Sequence, residues 1–198
     1  MSDILNYMDY TKETDQNLIA EYLKGDETAF EALIKRYLNL IYGYAFRFVK
    51  DQQTAEDITQ DVFLKIWKNV KKVDKNKSFK AWIYTIAKNT ALDFIKKKKA
   101  VPFSKFENEL GQNMLVDKLA DPSHLPDKIA EMSWNKNMFV EALKNLSFEY
   151  QLVLSLYYYQ YLNFKEIAQV LGESVNTIKS RHRRGLVLLR KVIGDNAP

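Results

Sequence analysis

Apolar residues recur at helical spacing through two long blocks of this chain, and a stretch without that periodicity divides them. In the first block, residues 15–98, one stripe is Leu18, Ile19, Tyr22 and Leu23. Asp26 then stands where an N-cap would, ahead of Phe30, Leu33, Ile34 and Tyr37, and Ile41, Tyr44, Ala45 and Phe48 continue the face. A third stripe runs through Ile58, Val62, Leu64, Ile66 and Trp67. After a polar break at 71–78 a fourth takes Phe79, Trp82, Ile83, Ile86, Ala87 and Leu92. Residues 99–130 hold Pro102, Pro122 and Pro126, three of the four prolines. A structureless stretch of that length reads as a linker between domains rather than a loop inside one. Periodicity returns near Ile129 and holds to Val192, with Leu143, Leu146, Leu152, Val153, Leu156 and Tyr157 on one face. The expected fold is therefore all-α: two small helical domains, 15–98 and 131–193, joined by a flexible linker at 99–130.

Composition narrows the class. The 198 residues suffice for two small cores, and 46% hydrophobic content excludes a disordered chain. Six glycines and four prolines favour helix over a turn-rich β fold. The absence of cysteine excludes disulfides and thiolate metal sites and suits a reducing cytoplasm. No apolar run approaches the roughly 20 residues that span a bilayer, and Met1 to Asp15 lacks a secretory pattern, so a cytoplasmic protein without membrane insertion is expected. A net charge of +5 says little alone. Its distribution says more.

The C-terminal block contains LNFKEIAQVLGESVNTIKSRHRRG, Leu162 to Gly185. Ala168 is small where two helices would cross, Gly172 tolerates a left-handed turn, and Ile178 is apolar on the buried face of a second helix. Together these predict a helix-turn-helix, with Ile167, Val170 and Leu171 in the first helix's core face and Ser174 capping the second helix. On the second helix, Val175, Ile178, His182, Gly185, Leu186 and Leu189 mark one side. Asn176, Thr177, Lys179, Ser180, Arg183 and Arg184 lie largely on the other, and no acid occurs from Ser174 to Gly194. Such a helix can read base edges in a major groove while its arginines hold phosphates. A solvated basic face is the plainer alternative.

The N-terminal block sets opposite charges side by side. Asp51, Glu56, Asp57 and Asp61 precede a lysine-rich run, Val62 to Leu92, whose single acid is Asp74. Asp57, Gln60 and Asp61 share a helical face suited to a basic protein surface, although a solvated face or a carboxylate pair for a metal would share the pattern. The following segment, Lys71 to Lys99, interleaves lysines with Phe79, Trp82 and Tyr84. That mixture fits single-stranded nucleic acid, with lysines along the backbone and aromatics or pockets for bases, although Trp82 reads first as core.

Four stretches together resemble one family. GDETAFEALIKRY, AEDITQDVFLKIW and FKAWIYTIAKNTALDFIKKKK are similar to the second region of bacterial sigma factors, and LSFEYQLVLSLYYYQYLNFKEIAQVLGESVNTIKSRHRRGLVLLRK to their fourth. Possession of these two regions alone, in order, resembles the extracytoplasmic-function group. The resemblance covers most of 15–100 and 135–192. It implies a non-enzymatic subunit that binds core RNA polymerase and directs initiation at promoter DNA, without a cofactor and with an anti-sigma factor as a further partner. Asp57, Gln60, Asp61 and Leu64 would dock on the polymerase. Lys71, Lys72, Lys75, Lys77, Ser78, Phe79, Lys88 and Asn89 would melt and hold one promoter element, and Val175, Asn176, Thr177, Lys179, Ser180, Arg183 and Arg184 would read another as duplex. Asn163 stands where many members have Ser or Thr, and either residue can cap a helix. His182 and Arg183 fall where members vary widely, so the promoter sequence is not readable, and 101–133 resembles nothing specific. A conventional helix-turn-helix regulator leaves the lysine-aromatic segment unexplained, and a sigma-mimicking adaptor leaves the intact basic surfaces unexplained. An enzyme finds no phosphate loop or nucleophile motif and only His124 and His182 to use.

Overall fold

The computed structural model describes residues 10–49, 51–74, 77–99, 142–143 and 145–195. Most of the expected linker, the start of the expected second domain and Lys75 lie outside these residues. The described chain is helical throughout, in two groups that match the expected two helical domains. The first group holds α1 (Asp15–Leu23), α2 (Glu27–Val49), α3 (Gln52–Asn69) and α4 (Phe79–Lys99). The second holds α5 (Phe148–Tyr158), α6 (Phe164–Leu171) and α7 (Val175–Asp195). Among the described residues no helix is long and apolar enough to cross a membrane.

Every helix but α5 begins where a side-chain oxygen accepts from a free amide. Thr14 accepts from the Asn17 amide at 3.2 Å, Asp26 from Thr28 at 2.9 Å and Asp51 from Thr54 at 2.8 Å. The periodic residues of α2, from Phe30 through Leu33, Tyr37, Ile41 and Tyr44 to Phe48, are all buried and form the spine of the first group. Arg36 closes the N-terminal corner, with its guanidinium on Asp15 at 2.7 Å and on the Tyr10 and Glu13 carbonyls. Tyr37 also donates to Asp15.

In α3 the buried stripe is Ala55, Ile58, Thr59, Val62 and Ile66. Leu64 and Trp67, expected in that stripe, turn outward and are 53% and 55% exposed. They fall on the wrong side of the 3.6-residue period, which Ile58, Val62 and Ile66 set at four-residue steps. Helix α4 buries Phe79, Ala81, Ile83, Tyr84, Ala87 and Ala91, on more than one side, because it packs against α2 and α3 on one flank and α6 on another. The two groups thus share one continuous core, with Phe48 of α2 edge-on to Phe148 of α5.

Candidate nucleic-acid interface

The C-terminal group assembles around α5, in which Gln151 to Leu156 are all buried. Helix α6 starts with a reciprocal cap: the Asn163 side chain accepts from the Glu166 amide at 3.0 Å, and the Glu166 carboxylate accepts from the Asn163 amide at 2.7 Å. It ends at Gly172, whose φ of 73° is left-handed and whose N–H returns to the Ala168 carbonyl. Ser174 then caps α7 by accepting from the Thr177 amide at 3.0 Å. Ala168 and Ile178 are buried as their spacing predicted, so the helix-turn-helix stands as read.

Helix α7 splits as its pattern predicted. Ile178, Gly185 and Leu189 face the core, and Gly185 is small because Leu154 comes within 3.0 Å of the place a Cβ would occupy. Asn176, Lys179, Arg183 and Arg184 are exposed on the other side. Val175, Thr177 and Ser180 are half-buried, Thr177 being drawn into the cap by Ser174. Arg181 plays a part the sequence reading missed. It turns inward to bond Glu173 at 2.6 Å and Glu149 at 3.2 Å, and so ties α7 to the turn and to α5. The signal was present in those two carboxylates, which are far apart in sequence and so could not be paired from it. His182 lies among Tyr157, Tyr158 and Phe164, and this burial lowers its pKa.

On the first group, Asp57 and Gln60 are exposed on α3, with the exposed Leu64 a turn further on. Asp61 is half-buried and pairs with Lys65 at 3.0 Å, while Lys65 also donates to Thr90 of α4. These residues make an acidic and apolar face, Trp67 included. Among the described residues no cluster of three or more His, Cys, Asp or Glu could hold a metal ion. Lys71 and Lys72 are exposed on a 3₁₀ turn, and Lys77 is exposed near Asp74. Asn89 is exposed and Lys88 half-buried on α4. Phe79, expected to contact DNA, is only 2% exposed and packs on Tyr37 and Trp82, so it offers no face to a base here. Ser78 caps α4 through the Ala81 amide and also donates to Glu166 of α6 at 2.6 Å.

These features define a class: a two-group helical protein with a basic helix-turn-helix at one end and an exposed acidic and apolar face beside a lysine-rich helix at the other. The family described as Sigma-70 region 2 matches residues 33–101, and that described as Sigma-70, region 4 matches residues 142–191. The chain is 32% identical over 179 residues to the ECF RNA polymerase sigma factor SigW of Bacillus subtilis (strain 168), covering 89% of this chain and 95% of that one. Its fold resembles that of CnrH in complex with the cytosolic domain of CnrY, with a TM-score of 0.62, 20% identity and coverage of 93% of this chain and 100% of that one. It also resembles the sigma factor RpoE of Bartonella quintana in complex with the anti-sigma factor NepR, with a TM-score of 0.57, 19% identity and coverage of 85% and 98%. The chain belongs to the sigma-70 family, in its extracytoplasmic-function group. It is a transcription initiation factor whose partners are core RNA polymerase and promoter DNA.

Proposed function

We propose that the chain reads a promoter at two places in two physical states, with 15–98 as the docking and melting domain and 131–193 as the duplex reader. The observation that carries this reading is the division of charge along the surface. An exposed acidic face on α3 adjoins a lysine-bearing turn and α4, and a separate acid-free face is offered by the first three turns of α7. Asp57, Gln60, Asp61 and Leu64 dock on a basic surface of the polymerase, where opposite charge steers association. Lys71, Lys72, Lys75 and Lys77 hold the displaced strand, and Lys88 and Asn89 of α4 approach an unstacked base, supported by the Ser78 corner. Lys179, Arg183 and Arg184, with Asn176 and Ser180 between them, enter the major groove of the upstream duplex, and Val175 and Thr177 set the entry of that helix. A conventional duplex-binding regulator has no use for the acidic face or the lysine-rich helix.

The chain acts in the cytoplasm, where the polymerase is. An anti-sigma protein is the expected negative partner, in keeping with the partner that accompanies the Bartonella relative. The test is run-off transcription from a genomic library with core enzyme, with and without the chain. Specific starts that appear only when the chain is added, sharing two sequence elements, support the reading. Core enzyme that starts at the same places without it overturns the reading.

A further inference from the structure

Of the lysines and arginines of α7, Arg181 alone is not exposed. It stands three residues after Ile178 and four before Gly185, both buried. That spacing sets it at the edge of the helix's core side, away from Asn176, Lys179 and Arg183. Its guanidinium sends Nη1 to Glu173 Oε1 at 2.6 Å and Nη2 to Glu149 Oε2 at 3.2 Å. Glu173 belongs to the turn between α6 and α7, and Glu149 to the first turn of α5. One planar fork therefore joins α7 to two other elements in two fixed directions. A lysine ammonium, a point charge on a flexible stem, cannot fix both.

The apolar seat of α7 leaves its angle free. Ile178, Gly185 and Leu189 run along one line of the helix, and the closest approach is at Gly185, where Leu154 comes within 3.0 Å of the place of a Cβ. A helix seated on one line can pivot about its closest contact. Asn176 stands roughly 14 Å along the axis from Gly185. A pivot of about 10° moves it by about 2 Å, out of hydrogen-bond reach of a base edge. The geometry points to Arg181 as a positioning residue for promoter reading: through Glu149 and Glu173 it sets the angle at which α7 enters the groove, and so which base steps Asn176, Lys179 and Arg183 meet. This rests on the reading of α7 as the duplex reader. The clamp adds little to stability, because the Glu149 side chain is 56% exposed and so exposed a pair is weak in water.

Glu149→Gln is the most telling variant, because charge and position predict opposite signs for it. On charge alone, removing an acid from a DNA-binding protein tightens its hold on every duplex. Loss of one arm of the clamp instead weakens binding to the promoter and spares binding to other sequences. Holoenzyme reconstituted from core enzyme and the full-length chain is titrated with a duplex from a promoter mapped by run-off transcription. The same duplex with its upstream element scrambled is the reference. The ratio of the two affinities should fall about tenfold in Glu149→Gln, the discrimination carried by one well-placed base contact. It should fall at least as far in Arg181→Lys, which keeps the charge and so the salt slope. Thermal melts and retention on core enzyme should stay near wild type, and if Arg181→Lys unfolds the chain, Glu149→Gln decides. An unchanged ratio overturns the positioning role, whether both duplexes are held as before or more tightly. Equal weakening on both duplexes also overturns it, and leaves the clamp a merely structural contact. Failure of the underlying reading looks different: wild-type holoenzyme would bind the two duplexes alike, and the positioning role would fall with it.

Discussion

His182 is packed among Tyr157, Tyr158 and Phe164 at ring-centre distances of 4.6, 5.7 and 5.1 Å, and its Nε2 is buried without a hydrogen-bond partner among the described residues. Burial disfavours the imidazolium, so the folded pKa lies below the ordinary value of about 6.5 that the unfolded chain keeps. The unfolded state therefore binds the proton first as pH falls. The neutral ring's contribution is fully present above about pH 6.5 and is lost as pH drops toward the lower folded value. Denaturant midpoints of the full chain should fall between about pH 7 and about pH 5, and less steeply in His182→Gln. Equal slopes in the two proteins would refute this. The imidazole's side of α7 was legible in the sequence, because His182 falls in register with Ile178, Gly185 and Leu189. Gly172 was legible too, since the turn between two apolar stripes needs a residue that accepts φ of 73°. Phe79 was not. A lone aromatic among lysines reads equally as a base platform or a core ring, and only the arrival of Tyr37 and Trp82 beside it decides for core.

Two helices carry most of the expected recognition, and each supports a test of its exposed face. On α3 the core register of Ile58, Val62 and Ile66 leaves Asp57, Gln60 and Leu64 outside, with Asp61 at the edge. Ile58, Val62 and Ile66 were readable as core from the chain, whereas Asp51 reads there only as one acid of the stretch and not as a cap. The outward turn of Trp67 was not readable, because an apolar residue near the stripe is indistinguishable from one within it. Asp57→Lys with Asp61→Lys should abolish retention of the chain on immobilised core polymerase, since like charges facing each other across an interface cost several kcal/mol. The circular-dichroism melt should stay near wild type, as the ion pair lost, Asp61 with Lys65, lies at the surface. Retention at wild-type strength would show that another face docks. On α7, Arg184 is exposed while Arg181 is committed to Glu173 and Glu149. Arg184→Ala should weaken duplex promoter binding by about 1–3 kcal/mol if it meets a base edge, with relaxed choice at one position. If it meets a phosphate, all sequences weaken alike and the salt slope falls by about 1. Titrations at several salt concentrations separate the two, and unchanged binding would place the reading face elsewhere on the helix.

At the scale of the whole molecule, the all-helical class and the two groups were legible because each group carries its own apolar periodicity. Their packing on each other was not. The bond between Tyr84 and Gln160 spans 76 residues, and nothing local to either marks the other. The one hint is α4 itself, whose Phe79, Ala81, Ile83 and Tyr84 are apolar on more sides than a helix covered on a single flank requires. In the proposed mechanism that same helix acts late in initiation, after docking and duplex recognition, and this order makes Asn89 the sharpest probe of the proposal. Asn89 is exposed on α4, next to the half-buried Lys88, and its amide can both donate to and accept from a base edge. Such contacts exist only once a base has left the stack, and they offset an unstacking penalty of a few kcal/mol. Holding one base contributes about 1–3 kcal/mol. The loss of Asn89 should therefore leave closed-complex binding nearly intact, because that step uses the α3 face and α7. It should slow opening by about tenfold, which corresponds to about 1.4 kcal/mol of lost contact. Filter binding of Asn89→Ala holoenzyme measures the first step, and permanganate reactivity of thymines near the start measures the second. Wild-type melting by the variant would remove Asn89 from base capture. Equal loss in both assays would instead assign it to the assembly of the domain.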